Sequence, residues 1–262
     1  MTKTSGYGRA LAGEASDMWG ASSARGLHGH VLESLGRRIT LGALPPNHQV
    51  VPEELAEQFG VSRTVVRDAL RMLEGKGLIA ARPRTGTRVR PRSDWDALDS
   101  DVIRWRAAGP DSASQFEELL DVRGAIEPLA ARKASVVDDP DTQAMEAALD
   151  DMAAAVRKQD WDDFTEADVA FHRSLLHASG SLVIDRFAEP IEAAIRVRHS
   201  LHLVPDVLTT EVLDSHRAIL DAIVARDGAR AELASRRIVD VAGAETIDSL
   251  VARSNDDARS TP

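Results

Sequence analysis

Apolar residues recur at helical spacing along most of this 262-residue chain, and the breaks between the recurrences delimit its elements. Leu27, Val31, Leu35 and Ile39 mark a first amphipathic helix, closed off by Gly42 and Pro45-Pro46. Leu55, Ala56 and Phe59 share core spacing in the short segment Pro52–Phe59, which Gly60 ends. Val66, Ala69, Leu70 and Leu73 recur at i, i+3, i+4, i+7 behind Ser62, a residue suited to cap a helix N-terminus. Gly75-Lys76-Gly77 breaks that helix. Leu78–Arg82 and Thr87–Arg90 then read as two short strands around Pro83, Arg84, Thr85 and Gly86. From Asp101 onward the pattern is helical. Amphipathic segments lie near Phe116–Ser135, Thr142–Gln159, Trp161–Ser179, Leu182–Leu203, Leu208–Arg226 and Gly228–Ala252, with Ser181 and Asp206 as caps. The expected fold is mostly α: an N-terminal winged helix-turn-helix followed by a C-terminal all-α helical bundle.

The third helix carries a second pattern. Arg63, Arg67 and Arg71 recur at i, i+4, i+8 on a face distinct from the apolar one, with Thr64 beside them. By itself such a row can be a solvated basic face. Preceded by a helix and a Gly-containing turn, it takes the place of a recognition helix, whose guanidinium groups bond guanine edges or phosphates. The hairpin that follows holds Arg82, Arg84, Arg88 and Arg90 on or near its tip, where a wing meets the minor groove and adjacent phosphates.

Charge is distributed to match. Residues 25–92 hold 12 Lys and Arg against 6 Asp and Glu, whereas residues 93–262 hold 18 against 34, so the net charge of −10 conceals a basic end. The expected organisation is a flexible arm over 1–24, a DNA-binding domain over 25–92, a linker over 93–100, an effector-binding and dimerisation domain over 101–252 and a disordered tail over 253–262. No apolar run approaches the roughly 20 residues that a membrane span requires, and the N-terminus lacks a signal-peptide core. The absence of cysteine excludes disulfides and thiolate metal sites and fits the cytoplasm.

Within the helical half, Asp168 and His172 stand one turn apart, flanked by Ala167, Phe171, Leu175 and Leu176, and His216 sits among Leu213, Ile219, Leu220 and Ile223. A carboxylate with two imidazoles is a ligand set for zinc, nickel or another divalent ion. The alternative is a set of structural hydrogen bonds. Arg123 is a candidate clamp for an anionic ligand, or else the partner of Glu127 four residues on. A metallohydrolase site at Asp168, His172 and His216 is a competing reading, but no acid/base partner of clear spacing accompanies it.

The stretch LPPNHQVVPEELAEQFGVSRTVVRDALRMLEGKGLIAARPRTGTRV resembles the DNA-binding domain of GntR-family transcription regulators. The blocks VRGAIEPLAARKA, DVAFHRSLLHASG and SHRAILDAIVARD resemble, in order and separation, the ligand-binding (FCD) domain of their FadR-type branch. The segment RPRTGTRVRPRSDWDALDSDVIRW is similar to regulators of sugar-acid catabolism, the galactonate and gluconate operon repressors. This resemblance implies DNA contacts from Ser62, Arg63, Thr64, Arg67 and Gly86. Glu53, just before the second helix, stands where some members place a DNA-contacting arginine. It implies a divalent metal on Asp168, His172 and His216, although a fourth ligand, a histidine in many members, is Ile238 here. The expectation is therefore a non-enzymatic, dimeric, metabolite-responsive regulator, a repressor rather than an activator. It binds an inverted-repeat operator through Ser62, Arg63, Thr64, Arg67, Arg71, Arg84, Gly86 and Arg88. A sugar acid or other small carboxylate releases it by binding near Arg123, Asp168, His172 and His216.

Overall fold

The computed structural model describes residues 26–82, 86–109, 111–205 and 207–259. The expected N-terminal arm over 1–24, the wing residue Arg84 and the cap Asp206 lie outside these. The chain divides into two compact units, one up to Asp96 and one from Ala97.

In the first unit, α1 (Leu27–Thr40) buries Val31, Leu32, Leu35 and Ile39. After it come a two-residue strand β1 (Gln49–Val50), α2 (Pro52–Phe59) and α3 (Arg63–Gly75). Pro52 opens α2 at a position whose N–H has no helical partner, and Glu53 and Glu54 complement the positive end of the helix dipole. Gly60 ends α2 at φ +63. The Ser62 hydroxyl caps α3 by accepting from the Val65 N–H at 3.3 Å, and Val66, Ala69, Leu70 and Leu73 turn inward to pack α3 on α1. Strands β2 (Ile79–Arg82) and β3 (Gly86–Val89) pair antiparallel, with Ile79 opposite Val89 and Arg82 opposite Gly86. The sheet has a third strand that the sequence pattern does not announce: β1 pairs with the other edge of β3, with Gln49 opposite Arg88. Two residues are too few to display an alternation.

Gly77 is the fixed point of the unit. It sits at φ +76, and a Cβ there would lie 2.3 Å from the carbonyl oxygen of Asp94. The expected linker over 93–100 is in part structured. A 3-10 turn over Arg92–Asp94 leads to Trp95, whose indole donates to the Arg90 carbonyl at 3.2 Å. The Asp96 N–H reaches back to the Lys76 carbonyl at 3.0 Å.

The second unit is all-helical: α4 (Ser100–Ala107), α5 (Ser112–Ala134), α6 (Gln143–Lys158), α7 (Trp161–Ala178), α8 (Leu182–Asp185), α9 (Ala188–Ser200), α10 (Thr210–Val224) and α11 (Gly228–Arg259). α4 is capped by Asp99, whose carboxylate accepts from the N–H groups of Asp101 and Val102. The segment expected as one helix over Leu182–Leu203 is two. A continuous helix would require Pro190 to donate to the Arg186 carbonyl, which proline cannot do, so the helix restarts at Ala188 and Pro190 falls in its first turn. α11 continues through Arg259, beyond the point where composition suggested a tail.

The core joins Met145, Leu149 and Met152 of α6 to Phe171, Leu175 and Leu176 of α7 and to Ile219 and Ile223 of α10. α5 and α11 run antiparallel at close range, Gly124 facing Val239 and Gly243 facing Leu120. Pro128, inside α5, supplies no N–H to the Gly124 carbonyl, and Arg236 of α11 donates to that oxygen at 3.4 Å instead. Among the described residues no helix is long and apolar enough to cross a membrane.

Candidate functional site

Two sets of side chains carry chemistry, one in each unit. On α3, Ser62, Arg63, Thr64, Arg67 and Arg71 are all exposed on the side opposite the buried stripe. Arg71 pairs with Asp68 at 3.2 Å, and Arg63 lies 3.6 Å from Glu53. Glu53 is inside the first turn of α2 rather than ahead of it. Exposed pairs of this kind contribute about 0–1 kcal/mol and are readily exchanged for phosphate. Arg67 makes no ion pair among the described residues. On the wing, Gly86 adopts φ +76, and Arg88 donates to the Asn47 carbonyl at 2.8 Å. Arg90, expected near the wing tip, instead pairs with Asp94 at 3.0 Å beyond the end of β3.

The second set lies inside the bundle. Asp168 and His172 project from α7, one turn apart, and His216 projects from α10. His216 donates its Nδ1–H to the Val212 carbonyl of its own helix at 2.7 Å, which turns Nε2 to within 2.9 Å of Asp168 Oδ1. His172 Nε2 lies 3.4 Å from the same oxygen, and its Nδ1 lies 2.9 Å from Glu127 Oε2 on α5. The buried edge of Phe171 packs against both rings. Each imidazole is thus held at Nδ1 by an outer oxygen and aims Nε2 at one point. That is how metal-ligating histidines are oriented. The three donor atoms lie within 4.8 Å of one another, so the residues fit a divalent cation, with Asp168 Oδ1, His172 Nε2 and His216 Nε2 as its ligands.

Electrostatics reinforce the cluster. Burial alone raises the pKa of Glu127, but Arg123 and His172 outweigh it and hold the carboxyl at about 2. Burial likewise disfavours a charged His172, yet Glu127 and Asp168 raise it to about 9. For Asp168 the opposing burial is overcome by His172 and His216, so it stays ionised well below the ordinary range.

Arg123 takes the second of its two expected roles. Its Nε donates to Glu127 Oε1 at 2.6 Å, both side chains being buried, and its Nη2 lies 3.5 Å from His172 Nε2. It also lines a cavity of about 290 Å³ with Asp168, His172 and His216. Phe164, Leu208 and Val212 form apolar walls, and Ile238 offers the cavity no donor. Several cavity residues escaped the sequence reading, among them Arg198 of α9, Glu211 of α10 and Glu245 of α11. Their signal was present in part. Ile191, Ala194 and Arg198 continue one helical stripe, so Arg198 stands where an apolar residue is due.

Residues 27–89, from α1 through β3, match the model for bacterial regulatory proteins of the gntR family, and residues 118–241 match the FCD domain. The chain is 34% identical to the uncharacterized HTH-type transcriptional regulator YieP of Escherichia coli (strain K12), over 75% of this chain and 85% of that protein. It is 30% identical to the galactonate operon transcriptional repressor of the same organism, over 80% of this chain and 92% of that one.

The chain belongs to the gntR family.

As a family member with an FCD domain, it is a DNA-binding transcription regulator and not an enzyme. Among solved structures, Lar of Listeria monocytogenes shares the fold at a TM-score of 0.59 and 17% identity, covering 86% of this chain and 98% of that one. The GntR match contains the α3 arginines, and the FCD match contains Arg123, Asp168, His172 and His216. The metallohydrolase reading of the cluster falls with this membership.

Proposed function

We propose that this protein is a dimeric, cytoplasmic transcriptional repressor released from its operator by a small anionic metabolite, a sugar acid carrying one carboxylate and several hydroxyls. Ser62, Arg63, Thr64, Arg67 and Arg71 read one half-site of an inverted repeat, and Arg84, Gly86 and Arg88 hold the flanking backbone. Asp168, His172 and His216 hold a divalent ion, zinc or nickel, and the metabolite binds beside it. The observation that carries the reading is the convergence of two outer-braced imidazoles and one carboxylate on a partly apolar cavity beside guanidinium groups. A bound metal supplies a Lewis-acidic point for a hydroxyl or carboxylate oxygen. The name of the galactonate operon repressor supports the sugar-acid class.

Release from DNA is a coupling between sites: the ligand must bind the DNA-free state better than the DNA-bound one, by about 1–3 kcal/mol. The test is a gel-shift titration on a DNA fragment that the protein itself selects from a random pool. Sugar acids should release the zinc- or nickel-loaded protein, and chelator treatment should abolish that release while DNA binding persists. Release by no sugar acid, with metal bound, would sink the effector assignment.

A further inference from the structure

The cavity holds two guanidinium groups, and they are not equivalent. Arg123 is committed. Its partner Glu127 is fully buried and is braced in turn by His172. A ligand carboxylate could take Glu127's place on Arg123 only by stripping a fully buried carboxylate of its guanidinium and leaving it His172 alone, a costly arrangement.

Arg198 differs in each respect. Its Nε donates to the Thr246 hydroxyl at 3.0 Å, and that hydroxyl donates in turn to the Ala242 carbonyl at 2.7 Å. Thr246 and Ala242 are buried, so one edge of the guanidinium is held by a neutral hydroxyl that is itself fixed. Its outer edge, at Nη2, is taken by the carboxylate of Glu245. Glu245 is not confined: its side chain is 36% exposed, against 16% for Arg198, and it can turn out into water. Arg196, two residues earlier, shows the outward alternative on the same helix by pairing with Glu166.

Resting on the reading of this cavity as a site for a small carboxylate, we infer that Arg198 is the carboxylate anchor. Glu245 is a resident substitute that the ligand displaces. The exchange is balanced. One carboxylate leaves the guanidinium and another takes its place, so no buried charge is left unpaired, and the planar fork accepts either one. The displaced Glu245 is hydrated. Because Glu245 competes from within the chain, it weakens the binding of every carboxylate and leaves neutral polyols unaffected. Ligand specificity then divides between two ends of the cavity. The carboxylate goes to Arg198, and oxygen atoms of the remainder go to the ion that Asp168, His172 and His216 hold.

The experiment compares the full-length zinc-loaded protein with its Glu245→Gln and Arg198→Gln variants. Thermal melting is followed while D-gluconate, D-galactonate, L-lactate and neutral sorbitol are titrated separately. Glu245→Gln should respond to carboxylates at roughly tenfold lower concentration than the parent protein, and Arg198→Gln at roughly tenfold higher or not at all. Sorbitol should act equally on all three. Equal carboxylate responses in all three proteins would keep the effector reading and overturn the role of Arg198. No carboxylate response in any of them, Glu245→Gln included, would overturn both. If Arg198→Gln does not fold, the comparison of Glu245→Gln with the parent decides: an unchanged or weakened response refutes the substitution by Glu245.

Discussion

Glu127 joins Arg123 to His172, one carboxylate oxygen 2.6 Å from the guanidinium Nε and the other 2.9 Å from the imidazole Nδ1. The link crosses from α5 to α7 with no exposed member. Glu127→Ala leaves a buried guanidinium without its counter-ion and His172 without its brace. Removal of one partner from a buried ion pair costs about 3–5 kcal/mol. The melting temperature of the variant should fall sharply, and its zinc affinity should fall by about 10–100-fold. Unchanged zinc affinity, read by competition with a chromogenic chelator, would show that the brace does not orient His172.

The same network sets a pH dependence. Glu127 moves from 4.5 to about 2 on folding, so its contribution is complete above 4.5 and is lost as pH falls toward 2. His172 moves the other way, from 6.5 to about 9, so its contribution is complete below 6.5 and is lost as pH rises through 9. Metal-free protein should therefore lose stability as pH rises from 6.5 to about 9. Zinc must displace the proton on His172, so its binding should tighten as pH rises toward 9 and release a proton to the buffer. Calorimetry in buffers of different ionisation enthalpy measures that proton directly; a zero proton count at neutral pH contradicts the assignment.

On the DNA face, Arg63→Ala and Arg67→Ala should each weaken specific binding by about 1–3 kcal/mol without lowering the melting temperature. The two should differ in their response to Glu53→Ala, which removes the carboxylate 3.6 Å from Arg63. That change should strengthen binding when Arg63 is present and do nothing in an Arg63→Ala background. A double-mutant cycle of gel-shift affinities gives the answer.

Gly77→Ala places a methyl group 2.3 Å from a backbone oxygen and a non-glycine residue at φ +76. The winged unit should lose upward of about 1–3 kcal/mol, because backbone atoms must move to make room. Denaturant unfolding followed by Trp95 fluorescence, in a background where Trp19, Trp105 and Trp161 are replaced by Phe, checks it, and a loss below the lower figure would mean that the 92–96 segment yields easily.

Legibility in the sequence followed periodicity. α3 carries an unbroken apolar stripe and an arginine row on its other side, and both fell where the spacing placed them. Asp168 and His172 were legible because a helix fixes residues i and i+4 together, but bringing in His216 requires α10 to pack beside α7, which spacing does not report. β1 was invisible because two residues make no pattern, and its partners are distant in the sequence, Arg88 opposite Gln49 and Thr87 opposite Val50. The break between α8 and α9 was foreseeable from Pro190, whose missing N–H outweighs the apolar spacing around it. For Arg123 the sequence left two roles open, and packing against Glu127 occupied the guanidinium. Arg198 and Glu245 are 47 positions apart, and local pattern alone does not bring them together.

The Gly124 carbonyl, left without a helical donor by Pro128 and served by Arg236, ties the first long helix of the bundle to its last. Ile238 and Glu245 of the cavity also come from α11. During synthesis, α5 therefore emerges from the ribosome before Arg236 exists, with most of the helices that pack on it still unmade. The bundle cannot close, and the cavity cannot be completed, until α11 has been made. A nascent chain lacking α11 therefore has a bundle with one wall of its cavity missing.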